Sequence, residues 1–194
     1  MKNKNTWIWI GVIVVLILFI VSGYNKMVRL DESVKSQWAQ VENVYQRRAD
    51  LIPNLVNTVK GYADFEKSTL TQVIEARAKA TSVQINPDKL DPQSLQKFQA
   101  AQDQLSSALA RLMVVVERYP ELKANQNFLE LQAQLEGTEN RIATERRKFN
   151  EETRKYNTYI KRFPTVLYAR LLGFEEKGYF KAVEGAEKAP EVKF

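Results

Sequence analysis

The chain has 194 residues, no cysteine and no histidine, and its 29 basic against 23 acidic side chains give a net charge of +6. This length suits one domain plus an anchor. Without histidine and cysteine, the usual zinc sites and thiol nucleophiles are excluded and the commonest general base is missing. We therefore predict no catalytic, cofactor-binding or metal site. Acidic and basic residues are interleaved, which indicates solvated helix surfaces rather than a nucleic-acid-binding protein.

The first predicted element is an apolar segment near the N-terminus. After a short polar stretch, 1–6, the uncharged residues 7–24 are just long enough to cross a bilayer as a helix. Aromatic residues lie near both ends of this segment, as is typical of side chains at a membrane interface. Because a helical pattern follows without a linker, we predict a retained, single-pass transmembrane helix. The alternative is a cleaved signal peptide, with small residues at 22–23.

The charges that flank this segment are nearly balanced, with two lysines before it and Lys26, Arg29 and Lys35 after it. The positive-inside rule therefore weighs both orientations almost equally. A short cationic tail before a first apolar segment is typical of a signal anchor. On that basis we expect a cell-membrane protein whose C-terminal domain lies on the extracytoplasmic side.

Two helices are predicted before the middle of the chain. Apolar residues recur at three- to four-residue intervals between 25 and 62, which predicts a helix continuous with the membrane segment. Pro53 should kink this helix or start a new one, because proline lacks an N–H and crowds the preceding turn. Gly61 should end it. A second helix is predicted over 65–83.

Two further helices are predicted in the second half of the chain. Asp91 is a good N-cap residue for the third, with Pro92 at the first helical position, and Tyr119 should end that helix. The fourth, 125–163, carries one apolar residue at every seventh position, which places a narrow stripe along one face. These stripe residues are Phe128, Leu135, Ile142, Phe149, Tyr156 and Phe163.

Four helices with similar stripes and short connections predict an all-α fold, in which a transmembrane helix precedes an elongated antiparallel four-helix bundle over 25–163. With an even number of helices, the fourth returns toward the membrane, so Phe163 should lie near Asn25. A short amphipathic arm is predicted over 164–180, and a disordered tail over 181–194.

One arginine interrupts the apolar stripe of the first bundle helix. Arg48 has stripe residues seven positions away on either side, and Glu145 and Glu152 occupy inward positions of the fourth helix. If Leu30 lies opposite Ile160, Arg48 lands near Glu145. We predict a structural ion pair between Arg48 and these carboxylates that sets the helix register. The alternative is a polar binding site inside the bundle.

A basic, aromatic-rich stretch follows the fourth helix, close to where the bundle should meet the membrane. Basic and aromatic side chains bind lipid headgroups at such a position, which predicts a membrane-surface patch. The alternative is that 166–180 packs back on the bundle as a capping arm. The patch residues are Lys161, Arg162, Tyr168, Arg170 and Lys177.

Several segments resemble the motifs of the LemA family. They are 46–56 (QRRADLIPNLV), 119–125 (YPELKAN), 135–142 (LEGTENRI) and the glycine- and aromatic-containing stretch 173–180. The resemblance covers nearly the whole chain. It implies a bacterial, membrane-associated protein with an N-terminal transmembrane helix and a mostly antiparallel helical bundle, and it implies no established enzymatic activity.

These observations lead us to expect a non-catalytic, membrane-anchored helical scaffold or adaptor of the bacterial envelope. Its expected partners are the lipid bilayer, further copies of itself and unidentified envelope or membrane proteins, with no nucleic acid. The alternative is a lipid-sensing or membrane-remodelling module that uses the patch after the fourth helix.

Overall fold

A computed structural model describes residues 2–62 and 66–181, with side chains from Trp7 onward, and all regular structure in this part is helical. The all-α prediction is thus confirmed. Of the predicted tail 181–194, all but Lys181 lies outside the described residues. The helices are α1 (Lys2–Lys60), α2 (Lys67–Ser82), α3 (Pro92–Val116), α4 (Pro120–Lys123), α5 (Gln126–Lys161) and α6 (Val166–Ala169), followed by a 3₁₀ helix, Arg170–Leu172.

Helix α1 joins the apolar N-terminal segment to the packed part of the molecule without a break. It has 59 residues. Within the described residues it is the one helix that is long and apolar enough, by length and composition, to cross a membrane. Side chains from Trp7 to Ser22 are exposed, whereas Met27 and the inward residues beyond it are buried. We call residues 7–24 the candidate span.

Pro53 does not start a new helix, because α1 continues through it to Lys60. Proline removes one backbone hydrogen bond and crowds the preceding turn. Its neighbours Ile52, Leu55 and Val56 are all buried. Tertiary packing of this face outweighs the local loss, since packing supplies most of the stability of helices in proteins.

The predicted N-cap of α3 is formed, and α5 begins with an N-cap of the same kind. The Asp91 carboxylate accepts hydrogen bonds from the backbone N–H groups of Gln93 and Ser94, at 2.9 Å each. A hydrogen bond from the Ser94 hydroxyl, together with these backbone bonds, holds the pKa of Asp91 below its usual value. At the start of α5, the Asn125 side chain accepts from the N–H of Phe128 at 3.0 Å. Two helix starts are therefore satisfied by local sequence alone.

Helix α5 packs antiparallel along α1, while α2 packs on α3. The Lys26 ammonium lies 5.2 Å from the Tyr159 ring centroid, so the C-terminal end of α5 does return to the candidate span. The Trp38 and Phe149 rings meet edge to face at 5.6 Å. The first five stripe residues of α5 are buried, but the sixth, Phe163, lies beyond the helix and is 77% exposed.

The buried apolar side chains form two clusters separated along the long axis of the packed helices. The near cluster, closer to the candidate span, is centred on Trp38 and Phe149; the far cluster contains Leu55 and Leu112. Between them lies one level of buried polar side chains. These are Arg48, Gln102 and Thr138.

Candidate functional site

The polar level between the two clusters is organised by Arg48, which is 1% exposed. Its Nη1 donates to Glu139 Oε1 at 2.6 Å and to Ser106 Oγ at 2.7 Å, and its Nη2 donates to Gln102 Oε1 at 2.6 Å. The guanidinium also lies 5.1 Å from the Tyr45 ring centroid. One side chain of α1 is therefore bonded to both α3 and α5.

Hydrogen bonds at the same level also connect α2 with α3 and α1. The Gln102 Nε2 donates to the backbone carbonyl of Ala80 at 3.1 Å, and the Arg77 Nε donates to the carbonyl of Ala49 at 2.7 Å. All four long helices are thus linked within about one turn of each other. Because these bonds are directional and buried, they specify a single relative placement of the helices.

The predicted partners of Arg48 are wrong. Glu145 accepts from Lys148 at 2.8 Å and from Gln37 at 2.6 Å, and these two groups hold its pKa below the usual value, with Lys148 the larger cause. Glu152 pairs with Lys155, three residues along the same helix. Neither carboxylate reaches Arg48, whose counter-charge is Glu139.

The error lies in the helix register. Placing Leu30 opposite Ile160 puts Trp38 opposite Glu152, whereas Trp38 packs on Phe149, three residues earlier. This shift of about one helical turn brings Glu139 across from Arg48. Aromatic packing in the near cluster decides the shift, because apolar residues that recur every three to four positions along α1 match a neighbouring helix almost equally well after a one-turn slide.

A second candidate surface lies at the end of the packed helices next to the candidate span. It is formed by residues 162–172, which we call the foot. It carries large apolar side chains that the rest of the described chain leaves uncovered, with Phe163 77% and Leu171 87% exposed. Val166, Leu167 and Leu172 are also exposed. Contiguous exposed apolar side chains mark a surface that contacts a partner or a membrane.

The foot packs directly on the end of the candidate span. A Cβ placed at Gly23 would overlap the Tyr168 hydroxyl oxygen, so the absence of a side chain there permits the contact. A cavity of about 240 Å³ lies between the two elements and is lined by Phe19 of the span and Phe163 and Pro164 of the foot. The foot therefore occupies the level at which α1 leaves its apolar segment.

Most residues of the predicted patch lie in or beside the foot. Arg162 and Arg170 are exposed, and Tyr168 is half-buried against the span. Lys161 is exposed and forms an ion pair with Glu176. The surface therefore carries basic and aromatic side chains, as predicted. It also exposes several large aliphatic side chains that the list of patch residues did not include.

Lys177 does not belong to this surface. It is 6% exposed; its Nζ lies 2.8 Å from an Asp31 carboxylate oxygen and 5.2 Å from the Tyr156 ring centroid. The chain reverses at Gly173, whose φ of 84° suits glycine, and 174–181 packs back on the helices. For residues 174–181 the alternative prediction, an arm that packs back on the helices, agrees with the structure. The prediction that Lys177 belongs to a membrane-surface patch is wrong.

Lys177 completes a small charged cluster beside the foot. Asp31 contacts both Lys177 and Lys35, and Lys35 also pairs with Asp88 at 2.7 Å. Hydrogen bonds to Asp88 and Asp31 hold the pKa of Lys35 above its usual range. Among the described residues no three acidic side chains group as a metal site. The alternation of opposite charges makes this cluster an ion-pair network.

Several important residues were not singled out in the sequence. Gln102 is a polar residue four after Phe98 on the apolar stripe of α3, the same signal that identified Arg48. Asn150 and Asn157 each follow a stripe residue of α5 and are seven apart, so they share one face. No local signal identifies Glu139 or Asp31, because carboxylates that look exposed are frequent on both α1 and α5.

Comparison with known proteins adds a family and several relatives. The family model described as LemA family matches residues 37–194. Magnetosome protein MamQ of Magnetospirillum gryphiswaldense is 26% identical over 185 residues, covering 87% of this chain and 68% of the relative. Magnetosome protein MamQ 2 of Paramagnetospirillum magneticum is similar to the same extent. Protein LemA of Metamycoplasma hominis is 24% identical over 160 residues, covering 82% and 69%. None of these names denotes an enzyme.

Proposed function

Because the chain belongs to the LemA family, we propose that it is a non-catalytic, membrane-anchored helical scaffold of the bacterial envelope that associates with further copies and with other membrane or envelope proteins. The observation that supports this best is the continuity of α1. One helix forms both the candidate span and the central packing element. Forces on the helical domain are therefore transmitted to the membrane without a flexible joint.

The length and surface of the helical domain suit a scaffold. The part of α1 beyond the candidate span, 25–60, would extend about 50 Å at the rise of an α-helix. The Arg48 level and two apolar clusters hold its long helices in one register. A long, rigid and mostly polar surface presents many positions to partners without changing shape.

A test of self-association uses the full chain in a mild detergent. We expect light scattering coupled to size-exclusion chromatography to give a protein mass of two or more copies that rises with concentration. A protein that stays monomeric over the whole usable concentration range contradicts the scaffold proposal. Repeating the measurement in a second detergent separates association of the protein from the properties of one micelle.

The side of the membrane that the helical domain occupies can be tested independently. The chain has no cysteine, so a single Val114→Cys substitution at an exposed position gives one thiol on the helical domain. We propose the extracytoplasmic side, and expect an impermeant thiol reagent to label this variant in intact cells. Labelling only after permeabilisation contradicts that placement.

A second candidate function, lipid sensing or membrane remodelling, is favoured by the foot. Its exposed apolar side chains adjoin the candidate span, and Arg162 and Arg170 lie beside them. Apolar side chains at the acyl boundary with arginines at headgroup level are typical of an interfacial segment. If the foot enters the membrane, it couples the bundle to lipid composition.

This candidate is tested with the full chain in lipid nanodiscs, using a nitroxide label on Leu171→Cys. We expect higher accessibility to oxygen than to a polar nickel reagent, and deeper burial when anionic lipid is included. Val114→Cys serves as the control, since its side chain is 71% exposed on α3, which packs away from the span. Equal accessibility of the two labels, or no response to lipid charge, contradicts lipid sensing.

A further inference from the structure

The segment 174–181, which we call the strap, lies on the packed helices as an extended peptide. It leaves the foot at Gly173 and begins beside the candidate span, where the rings of Phe174 and Tyr24 are 5.7 Å apart. It ends beside α3, at Lys181. Residues 175–181 have no regular secondary structure, so their backbone groups need partners from elsewhere.

Six of these backbone hydrogen bonds are made by three side-chain amides. Asn and Gln amides carry both donors and an acceptor, and can therefore bond the N–H and the C=O of one backbone residue at once. Each of the three does so here, with all six distances between 2.8 and 3.1 Å. The pairs are Asn157 with Lys177, Asn150 with Phe180, and Gln99 with Lys181.

Phe180 of the strap fills an aromatic pocket. Its ring stacks on Trp38 at 6.1 Å and meets Phe149 edge to face at 5.4 Å. The Arg146 guanidinium covers it at 4.8 Å. Phe180 is buried within the near cluster, so the strap supplies part of the core that α1 and α5 leave open.

The strap lies in a groove formed by α1, α3 and α5, and two other strap positions also make specific contacts there. Lys177 pairs with Asp31 of α1. The N–H of Gly178 donates to the carbonyl of Leu90 at 2.8 Å, and a Cβ at this position would lie 2.8 Å from the Cα of Pro92. No larger residue fits without movement of the backbone at the start of α3. The groove thus selects an extended peptide with the pattern Lys-Gly-x-Phe.

We propose that this groove is an exchangeable peptide-binding site that accepts the strap of a second copy of the chain in place of its own. The proposal rests on the self-association proposed above, and it identifies the strap and the groove as the surfaces through which two copies bind. Every groove contact of the strap can be made equally by the strap of a neighbour, which is the condition under which exchange of an element between copies costs little. A single connection at Gly173 separates the strap from the foot.

The candidate span favours this partner over a free peptide. Copies held by α1 in one membrane have their grooves and straps at the same height above the bilayer. Confinement to the membrane raises the effective concentration of one copy around another. A reciprocal exchange also closes a symmetric pair, leaving no groove empty.

The test uses two full-length, differently tagged copies in a membrane, since the natural chain has no cysteine. One copy carries Lys181→Cys at the end of the strap and the other carries Gln99→Cys in the groove. We expect mild oxidation or a short thiol cross-linker to give a double-tagged product several-fold more abundantly than the pair Lys181→Cys with Gln72→Cys. Gln72 is an exposed control on α2 that does not contact the strap.

Two measurements define the outcome. Adding Gly178→Ala to the strap-bearing copy should reduce the double-tagged product several-fold, whereas Gly137→Ala should not. Oligomers by light scattering without a product above the Gln72→Cys control would overturn strap exchange while leaving self-association intact. A strictly monomeric protein would overturn both.

Discussion

Arg48 and Glu139 pair across α1 and α5 with Nη1 2.6 Å from Oε1, yet their side chains are 1% and 43% exposed. The two ends of this ion pair are therefore unequal. Water already solvates the carboxylate and would continue to do so if the arginine were removed, whereas the guanidinium has far less access to water if the glutamate is removed. Breaking a buried pair from the side that leaves the buried charge behind is the costlier change.

This inequality predicts that Glu139→Ala lowers the free energy of unfolding by about 3 kcal/mol. Arg48→Met, which fills the space and leaves Glu139 in contact with water, should cost less, about 1–2 kcal/mol for the unpaired Gln102 oxygen. Urea unfolding in detergent, followed by circular dichroism at 222 nm, measures both. Glu152→Ala is the control and should change stability by less than about 0.5 kcal/mol. A loss at Glu152 equal to that at Glu139 would contradict the assigned pair.

Burial raises the pKa of Tyr45 to about 12, because the phenolate is disfavoured away from water. An unfolded tyrosine ionises near pH 10, so between about pH 10 and 12 the folded state binds more protons than the unfolded state. The contribution of Tyr45 to stability is complete below pH 10 and is lost as the pH rises through 12. We expect a loss of about 2–3 kcal/mol across this window.

The Tyr45→Phe variant isolates this contribution, since every other titrating group is common to both proteins. Denaturation midpoints at pH 8, 10 and 11 should fall more steeply for the natural chain than for the variant. Parallel pH profiles would show that Tyr45 ionises as readily in the folded protein as in the unfolded chain.

Two glycines provide a matched comparison of local space. At Gly178 an added Cβ meets the Pro92 backbone at 2.8 Å, whereas at Gly137, inside α5, it meets nothing within 4 Å. Gly178→Ala should destabilise by about 1–3 kcal/mol through overpacking. Gly137→Ala should stabilise by about 0.5–1 kcal/mol through helix propensity. Thermal unfolding measures both, and changes of the same sign would contradict the packing of the strap.

The strap should also depend on Asp31, which faces the buried Lys177 ammonium. Asp31→Asn removes the counter-charge, so we expect the strap to open more often. The Gly178 amide should then exchange hydrogen faster and trypsin should cleave after Lys177 sooner. Glu32→Gln, one position along and exposed with only a local Lys35 pair, should leave both rates unchanged. If hydrogen exchange at Gly178 and cleavage after Lys177 are equally fast in the two variants, Asp31 does not hold the strap in place.

Much of the fold follows from short-range features. The Asp91 and Asn125 caps, the stop near Gly61 and the reversal at Gly173 are each set by a few adjacent residues, because capping and turn conformations depend on local chemistry. The stripe on α5 follows from helical periodicity. Pro53 is an exception, since burial of its neighbours in α1 outweighs its local preference.

Contacts between residues on different helices could not be predicted from these short-range features. Apolar residues on α1 recur about once per turn and match the α5 stripe almost as well after sliding by one turn, so Arg48 could be placed near α5 but not opposite Glu139. The strap has no periodicity at all. Its position depends on Asn150, Asn157 and Gln99, which become neighbours only when α3 and α5 have packed.

The sequence by itself determined the helices, the apolar N-terminal segment, the family motifs and the presence of a charged residue inside the core. These properties depend on composition and on spacing along one helix. Only the tertiary structure decided which carboxylate faces Arg48, that Lys177 is buried rather than at the membrane, and that the strap fills a groove. Each of these depends on contacts between residues far apart in the chain, where aromatic packing and backbone hydrogen bonds select one arrangement from several that share the same periodicity.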